Sequence, residues 1–487
     1  ARASGEAYGE AYELPHRCYN ETCAAVAFLF WSHRMFLMTG EARYMDAFER
    51  TLYNGALSGV SLSGNRFFYP NPLESDGSYS RSPWFGCACC PPNILRLIAS
   101  LGGYFYAVRG DQLFVNLYGA GRVKTELGGT LVTLEQDTDY PWHGTVRLRV
   151  QPERPVTFTL RLRIPGWVRG QPLPSDLYRY EDPTPAAWQV RLNGRLQALP
   201  VEQGYVDLRR EWRPGEEVVL DLPMPVRRVA GHPNIAATRG QVALERGPIV
   251  YAFEGLDNDG RVFDIVLPQT ARIEPRFRAD LLGGVAVLEI RDAQRAVRTA
   301  DGQRATVPAS LVAIPYATWA NRGPSPMTVW VARDASVARP APRPTPATQA
   351  RLTASFARSG MSLEPIRDQL YPSDYPDGRA PQFDFWPRKG TREWIQYEFA
   401  SPTRVQSVVV AWFDDTGTGE CRLPASWRIL YRDAEGQWQP VRSLDEYGLR
   451  KAEAVRVKFE PVTTEALRLE VQLRAGFSAG LYEWEVE

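Results

Sequence analysis

The chain has 487 residues, 44% of them hydrophobic and 23% charged, a globular composition too long for one ordinary core, so several domains are expected. A formal net charge of +1 excludes a global field that would recruit nucleic acid or an anionic membrane. No apolar run reaches transmembrane length: AAVAFLF, at 24–30, is followed closely by His33 and Arg34.

The first segment, ARASGEAYGEAYELP, carries neither a starting Met nor a signal peptide, so the sequence is expected to begin inside a longer protein. Residues 1 to about 105 read as helical. Asn20 and Thr22 stand where an N-cap belongs, and the following apolar stretch runs to a terminating Gly40. A second helix is predicted over EARYMDAFERTLYNG, with Tyr44, Phe48 and Leu52 on one face and Gly55 closing it. A third is predicted from PPNILRLIASLGG, its prolines suited to a first turn. Between the last two lies a loop of a length that is usually functional, ending in WFGCACCPP.

From about residue 110 the pattern changes to period-two alternation, as in VTFTLRLRIPGW and EEVVLDLPMPVRRV. A second group of strands covers QVALERGPIVYAFEG through SPMTVWVAR, and a third follows ARPAPRPTPATQA, which reads as a linker. The fold class is therefore multidomain α+β. Its expected divisions are a helical domain over 1–108, β-sandwiches over 109–229 and 230–337, a linker over 338–350, and a last β-sandwich over 351–487.

WFGCACCPP places three of the six cysteines within four positions. A disulfide knot is a poor reading in a chain of this size, because adjacent Cys89 and Cys90 bridge only with backbone strain. The spacing is also not that of a zinc ribbon. Glu21 and Cys23, two positions apart at a helix start, would join Cys89 and Cys90 as one carboxylate and three thiolates, a tetrahedral zinc shell. The competing reading is that these thiols are buried as small hydrophobes. A zinc-held thiolate is deprotonated and nucleophilic, and covalent catalysis by it needs an acid, for which Glu6, Glu10 and Glu13 are candidates.

GEAYGEAYELP, YNETCA, ERTLYNG, RFFYPNPLES and WFGCACCPPN, in this order, resemble the glycoside hydrolase family of bacterial β-L-arabinofuranosidases, formerly a domain of unknown function. The resemblance implies a retaining enzyme releasing β-linked L-arabinofuranose from plant-type glycans or glycoconjugates. It implies Zn2+ as cofactor, with Glu21, Cys23, Cys89 and Cys90 as ligands, Cys89 also as nucleophile and Glu6 as acid/base. Glu49 and Tyr69 match positions that contact the sugar or the nucleophile. It further implies that 1–108 is the C-terminal part of an (α/α)6 barrel whose front is absent, so that a homodimer or a missing N-terminal segment would complete it. The last 140 or so residues resemble a discoidin-like (F5/8-type) β-sandwich. There Trp386, Trp394 and Trp412 are candidates for stacking on sugar, although strand tryptophans more often fill a core. Cytoplasmic location is the expectation from free thiols. The rival reading is a non-catalytic carbohydrate-binding or scaffold protein, or an inactive fragment, with a structural zinc site.

Overall fold

The computed structural model of the chain describes residues 8–299, 303–358, 361–376 and 378–487. Two compact units emerge. Of the described residues, the first holds 8–262, 266–294 and 308–333, and the second holds those of 263–265, 295–307 and 334–487.

In the first unit, α1 (Thr22–Thr39) is apolar on most of its faces and ends where Gly40 turns left-handed at φ 73° and returns its N–H to the Phe36 carbonyl at 2.7 Å. Its N-cap is Glu21, whose side chain makes no capping bond. Neither Asn20 nor Thr22 fills that position, because the Thr22 hydroxyl donates to the Phe68 carbonyl at 2.9 Å instead. The next helix, α2 (Ala42–Arg50), does not stop at Gly55 as its sequence suggests. It widens into a π-helix over Thr51–Ala56 and tightens into a 3-10 turn over Leu57–Gly59. Asn54 holds the wide turn: its amide donates to the carbonyls of Arg50 and Pro248, and its carbonyl accepts from Val250 N. Gly59 lies so close to α1 that a Cβ there would fall 2.4 Å from Thr22 Cγ2. The third helix, α3 (Cys90–Ser100), opens with two prolines where no intrahelical donor is needed.

Among the described residues, then, three longer helices occupy the region read as helical, and most of the regular structure is β-sheet. Val26, Leu29, Phe48, Leu52, Ile94 and Leu97 from the helices share a buried cluster with Phe114 and Tyr205 from the strands. A four-stranded and a six-stranded sheet built from Tyr106–Asp221 supply alternating inward residues to one larger core, including Phe158, Leu160, Leu208 and Trp212. The long loop before α3 is anchored to a further sheet, since Glu74–Asp76 pairs antiparallel with the strand Pro326–Thr328.

The second unit carries a seven-stranded antiparallel sheet, dominated by the strands Arg392–Phe413 and Ala454–Gln472. Trp412, Trp427, Trp484 and Tyr397 are buried in its core. The stretch expected as a linker contains a capped helical turn over Pro346–Gln349, closed reciprocally by Thr345 and Thr348, and Ala347 and Ala350 enter the core.

Candidate metal and thiolate centre

Two helix starts converge on one point. Glu21 and Cys23 flank the first residue of α1, while Cys89 and Cys90 stand at the start of α3. Free N–H groups and the positive end of each helix dipole favour carboxylate and thiolate there. Ligand atoms of Glu21, Cys23, Cys89 and Cys90 all lie within 4.8 Å of one another. The Sγ atoms of Cys23 and Cys90 are 3.4 Å apart, and those of Cys89 and Cys90 3.9 Å. A tetrahedral ion with Zn–S bonds of ~2.3 Å needs sulfurs ~3.8 Å apart, so these two separations lie within about half an ångström of what zinc requires.

The chain segment 67–71 is laid against α1 by main-chain bonds: Thr22 N donates to Tyr69 O at 3.0 Å and Asn71 N to Asn20 O at 2.7 Å. That register carries the Tyr69 hydroxyl to 3.0 Å from Cys89 Sγ. Phe85 packs edge-on against the Tyr69 ring. Asn93, one turn into α3, donates from Nδ2 to Cys23 Sγ at 3.3 Å. This orienting residue was not among the sequence candidates, although its spacing of four from Cys89 puts it on the same helix face.

The thiols are not equivalent. Burial pushes the Cys90 thiol well up, and burial followed by its contact with Cys89 pushes Cys23 up. Burial also opposes ionisation of Cys89, but hydrogen bonds from Tyr69, Cys23 and Cys90 outweigh it and hold that thiol below its ordinary value. Tyr69 is raised in turn, first by its bond to Cys89 and then by burial. Of these three sulfurs, Cys89 is therefore the one poised to carry negative charge, and it is half-buried where Cys90 is fully enclosed.

Not every sequence candidate joins this group. Glu49 is 1% exposed and is bound elsewhere. Its carboxylate accepts from Arg163 at 2.5 Å, Tyr140 at 2.6 Å and the Trp167 indole at 3.2 Å. Arg163 also pairs with Asp46 at 2.7 Å. Glu10 and Glu13 close a turn on each other, with Glu10 N donating to the Glu13 carboxylate. Glu6 lies outside the described residues. A cleft of about 420 Å³ adjoins Glu21 and is lined by Phe28, Arg50, Tyr178, Glu245 and Trp330 among others. His16 sits by it, bonded to Gln241 at 2.7 Å and stacked on Trp330, and His33 packs against Tyr104.

Three family profiles match in succession: the beta-L-arabinofuranosidase GH127 catalytic domain over residues 1–103, its middle domain over 112–224 and the family's C-terminal domain over 226–332. The chain belongs to glycoside hydrolase family 127. It is 35% identical over 359 residues to a non-reducing end beta-L-arabinofuranosidase of Bifidobacterium longum subsp. longum, a match spanning 68% of this chain and 51% of the relative. A solved GH127 beta-arabinofuranosidase aligns at 46% identity and TM-score 0.66, covering 69% of this chain and 52% of the other. A GH127 beta-L-arabinofuranosidase from Geobacillus stearothermophilus T6 aligns at 42% identity and TM-score 0.61, covering 66% and 51%. This family 127 chain thus spans about half the length of the relatives it matches.

Proposed function

We propose that the chain acts as a retaining glycoside hydrolase on β-linked L-arabinofuranosides, with Cys89 as nucleophile. The observation that carries this reading is the meeting of one carboxylate and three thiols, with the one thiol of lowered pKa beside Tyr69. Glu21, Cys23, Cys89 and Cys90 would hold Zn2+, which would keep the thiolate ionised and ease its later departure from carbon.

The chemistry divides into two displacements. Cys89 Sγ forms a bond to the anomeric carbon as the glycosidic C–O bond breaks, and Glu6 gives its proton to the leaving oxygen. Water then bonds to the same carbon as the S–C bond breaks, its proton passing to Glu6. Two inversions leave the configuration retained. Tyr69 steadies the thiolate by donating its hydroxyl hydrogen, and Asn93 fixes Cys23.

The helices α1–α3 are assigned to part of an (α/α)6 barrel, the strands over 109–229 and 230–337 to two β-sandwich domains, and 351–487 to a discoidin-like β-sandwich joined through 338–350. Exposed apolar side chains on α1 and α3, such as Trp31, Met38 and Leu95, favour a further helical layer over them, from a second copy or from additional chain.

Hydrolysis of an aryl β-L-arabinofuranoside tests the reading. Turnover that disappears with Cys89→Ala and with chelation, and returns when zinc is restored to the wild-type chain, is expected. Turnover unaffected by Cys89→Ala would overturn the nucleophile, and a folded, zinc-loaded chain with no turnover would overturn the activity.

A further inference from the structure

The segment that carries Tyr69 and the start of α1 that carries Glu21 meet in one isolated antiparallel bridge, with Glu21 opposite Pro70. Pro70 has no N–H to give, and the bridge is framed by two main-chain bonds, from Thr22 N to Tyr69 O and from Asn71 N to Asn20 O. Glu21 belongs to the four-residue donor set, and the Tyr69 hydroxyl meets Cys89 Sγ. This short register therefore decides whether both side chains reach the same centre. A slip of one residue would turn each of them to the opposite face.

Asn71 pins that register from inside. Its buried carboxamide donates from Nδ2 to the Asn20 carbonyl at 3.2 Å and to the Thr22 hydroxyl at 3.0 Å, and accepts at Oδ1 from the Ser58 hydroxyl at 2.7 Å. A carbonyl such as that of Asn20 only accepts, which fixes the orientation of the amide. Asn20 and Thr22 are the two chain neighbours of Glu21, so one side chain grips both sides of that carboxylate. None of the three partners depends on the carboxamide alone. The Asn20 carbonyl keeps its bond from Asn71 N, the Thr22 hydroxyl donates to Phe68 O at 2.9 Å, and the Ser58 hydroxyl has Gly55 O at 3.2 Å. Loss of the carboxamide thus leaves few buried groups unpaired. What it removes is the fixed spacing.

From this arrangement we infer that Asn71 is a positioning residue of the thiolate centre, holding Glu21 and Tyr69 in one register so that the carboxylate meets the metal where the phenol meets Cys89. Its three side-chain bonds go to Asn20, Thr22 and Ser58, none of which is in the donor set. It acts through Glu21 and Tyr69, as partners behind metal ligands generally do. Asn54 provides the contrast. That carboxamide is also buried and also makes three bonds, but they run to Arg50 O, Pro248 O and Val250 N, away from the chain that flanks Glu21. The inference rests on the reading of Glu21, Cys23, Cys89 and Cys90 as a zinc shell.

The test uses the full chain stripped of metal and reloaded with cobalt(II), whose visible absorption bands report the geometry of a thiolate shell. Zinc affinity from chelator competition and melting temperature are measured beside it. Asn71→Asp keeps the shape and loses both donated bonds. Zinc affinity is expected to fall at least about tenfold and the cobalt bands to shift, in this variant and in Asn71→Ala. Ser58→Ala frees only the far end of the carboxamide. It should move both readouts the same way by less, and it carries the test if the Asn71 variants do not fold. Asn54→Ala should lower the melting temperature and leave the cobalt bands and zinc affinity as in the wild type. Cobalt thiolate bands in the wild type that stay unchanged, with unchanged affinity, in the folded Asn71 and Ser58 variants would overturn the inference and leave the zinc shell standing. Equal shifts in Asn54→Ala would reduce the effect to general loosening and overturn it as well. A wild-type chain that takes up neither metal would overturn the zinc shell, and the inference with it.

Discussion

Two groups of acidic side chains lie on or beside the helices of the first unit, and they solve the same electrostatic problem differently. Asp46 and Glu49 on α2 receive a cation from the chain itself, the fully buried Arg163, with Tyr140 and Trp167 completing the hydrogen bonds of Glu49. Glu21, Cys23, Cys89 and Cys90 bring one carboxylate and three thiols within 4.8 Å of one another. Four potential anions gathered at two helix starts repel one another unless a cation joins them. The first group is a closed structural joint, and the second is a donor set that could hold a metal ion.

The largest effect that could break this comparison is expected at Arg163. Replacing it by Met strips the buried Glu49 carboxylate of its cation, while Asp46 keeps Arg169 at 2.8 Å, and should cost about 3–5 kcal/mol in urea denaturation. A loss below about 1 kcal/mol would show that Glu49 is not held there. Chelation should act on the other group. Removing zinc present at a few hundred times its dissociation constant should lower stability by about 3 kcal/mol, and Cys23→Ala should abolish the bound zinc measured by mass spectrometry of metals. Arg163→Met chains that remain folded should keep their zinc.

Asn93 gives a finer test. Its amide touches Cys23 but is not a ligand, so Asn93→Ala should weaken zinc binding by about 10–100-fold in competition with a chelator. Unchanged affinity would remove its orienting role.

A further carboxyl sharpens the contrast at the smallest scale. Glu483 in the second unit is buried, accepts from Gln369 N and Trp484 N, and is pushed well above the carboxylate range by burial and by its acidic neighbours Asp368 and Glu485. With the folded value raised, the folded chain keeps a proton that the unfolded chain has lost. Its contribution is complete below the ordinary carboxylate range and falls as pH rises toward the folded value. Urea midpoints at pH 5 and pH 8 should show that decline in the second unit, and Glu483→Gln should flatten it.

How much of this was legible in the sequence depended on distance along the chain. The end of α1 at Gly40 and the prolines opening α3 follow from local backbone rules, and Glu21, Cys23, Cys89 and Cys90 could be grouped from two short clusters because each sits at a helix start. The role of Glu49 could not be read, since Arg163 lies 114 positions away on a strand that looks like any other alternating strand. The π-helix was equally hidden: Gly55 reads as a stop, but Asn54 bonds across to Pro248 and Val250 and carries the helix past it. Trp386 differs from Trp412 only through its surroundings, which the strand pattern alone does not contain.

X-ray absorption at the zinc edge of the purified full chain tests the central claim most directly. The account predicts about one zinc per chain with three sulfurs at ~2.3 Å and one oxygen at ~2.0–2.2 Å, the oxygen lost or replaced in Glu21→Ala. A chain that carries no zinc after growth with the metal, or a shell without sulfur, would contradict it.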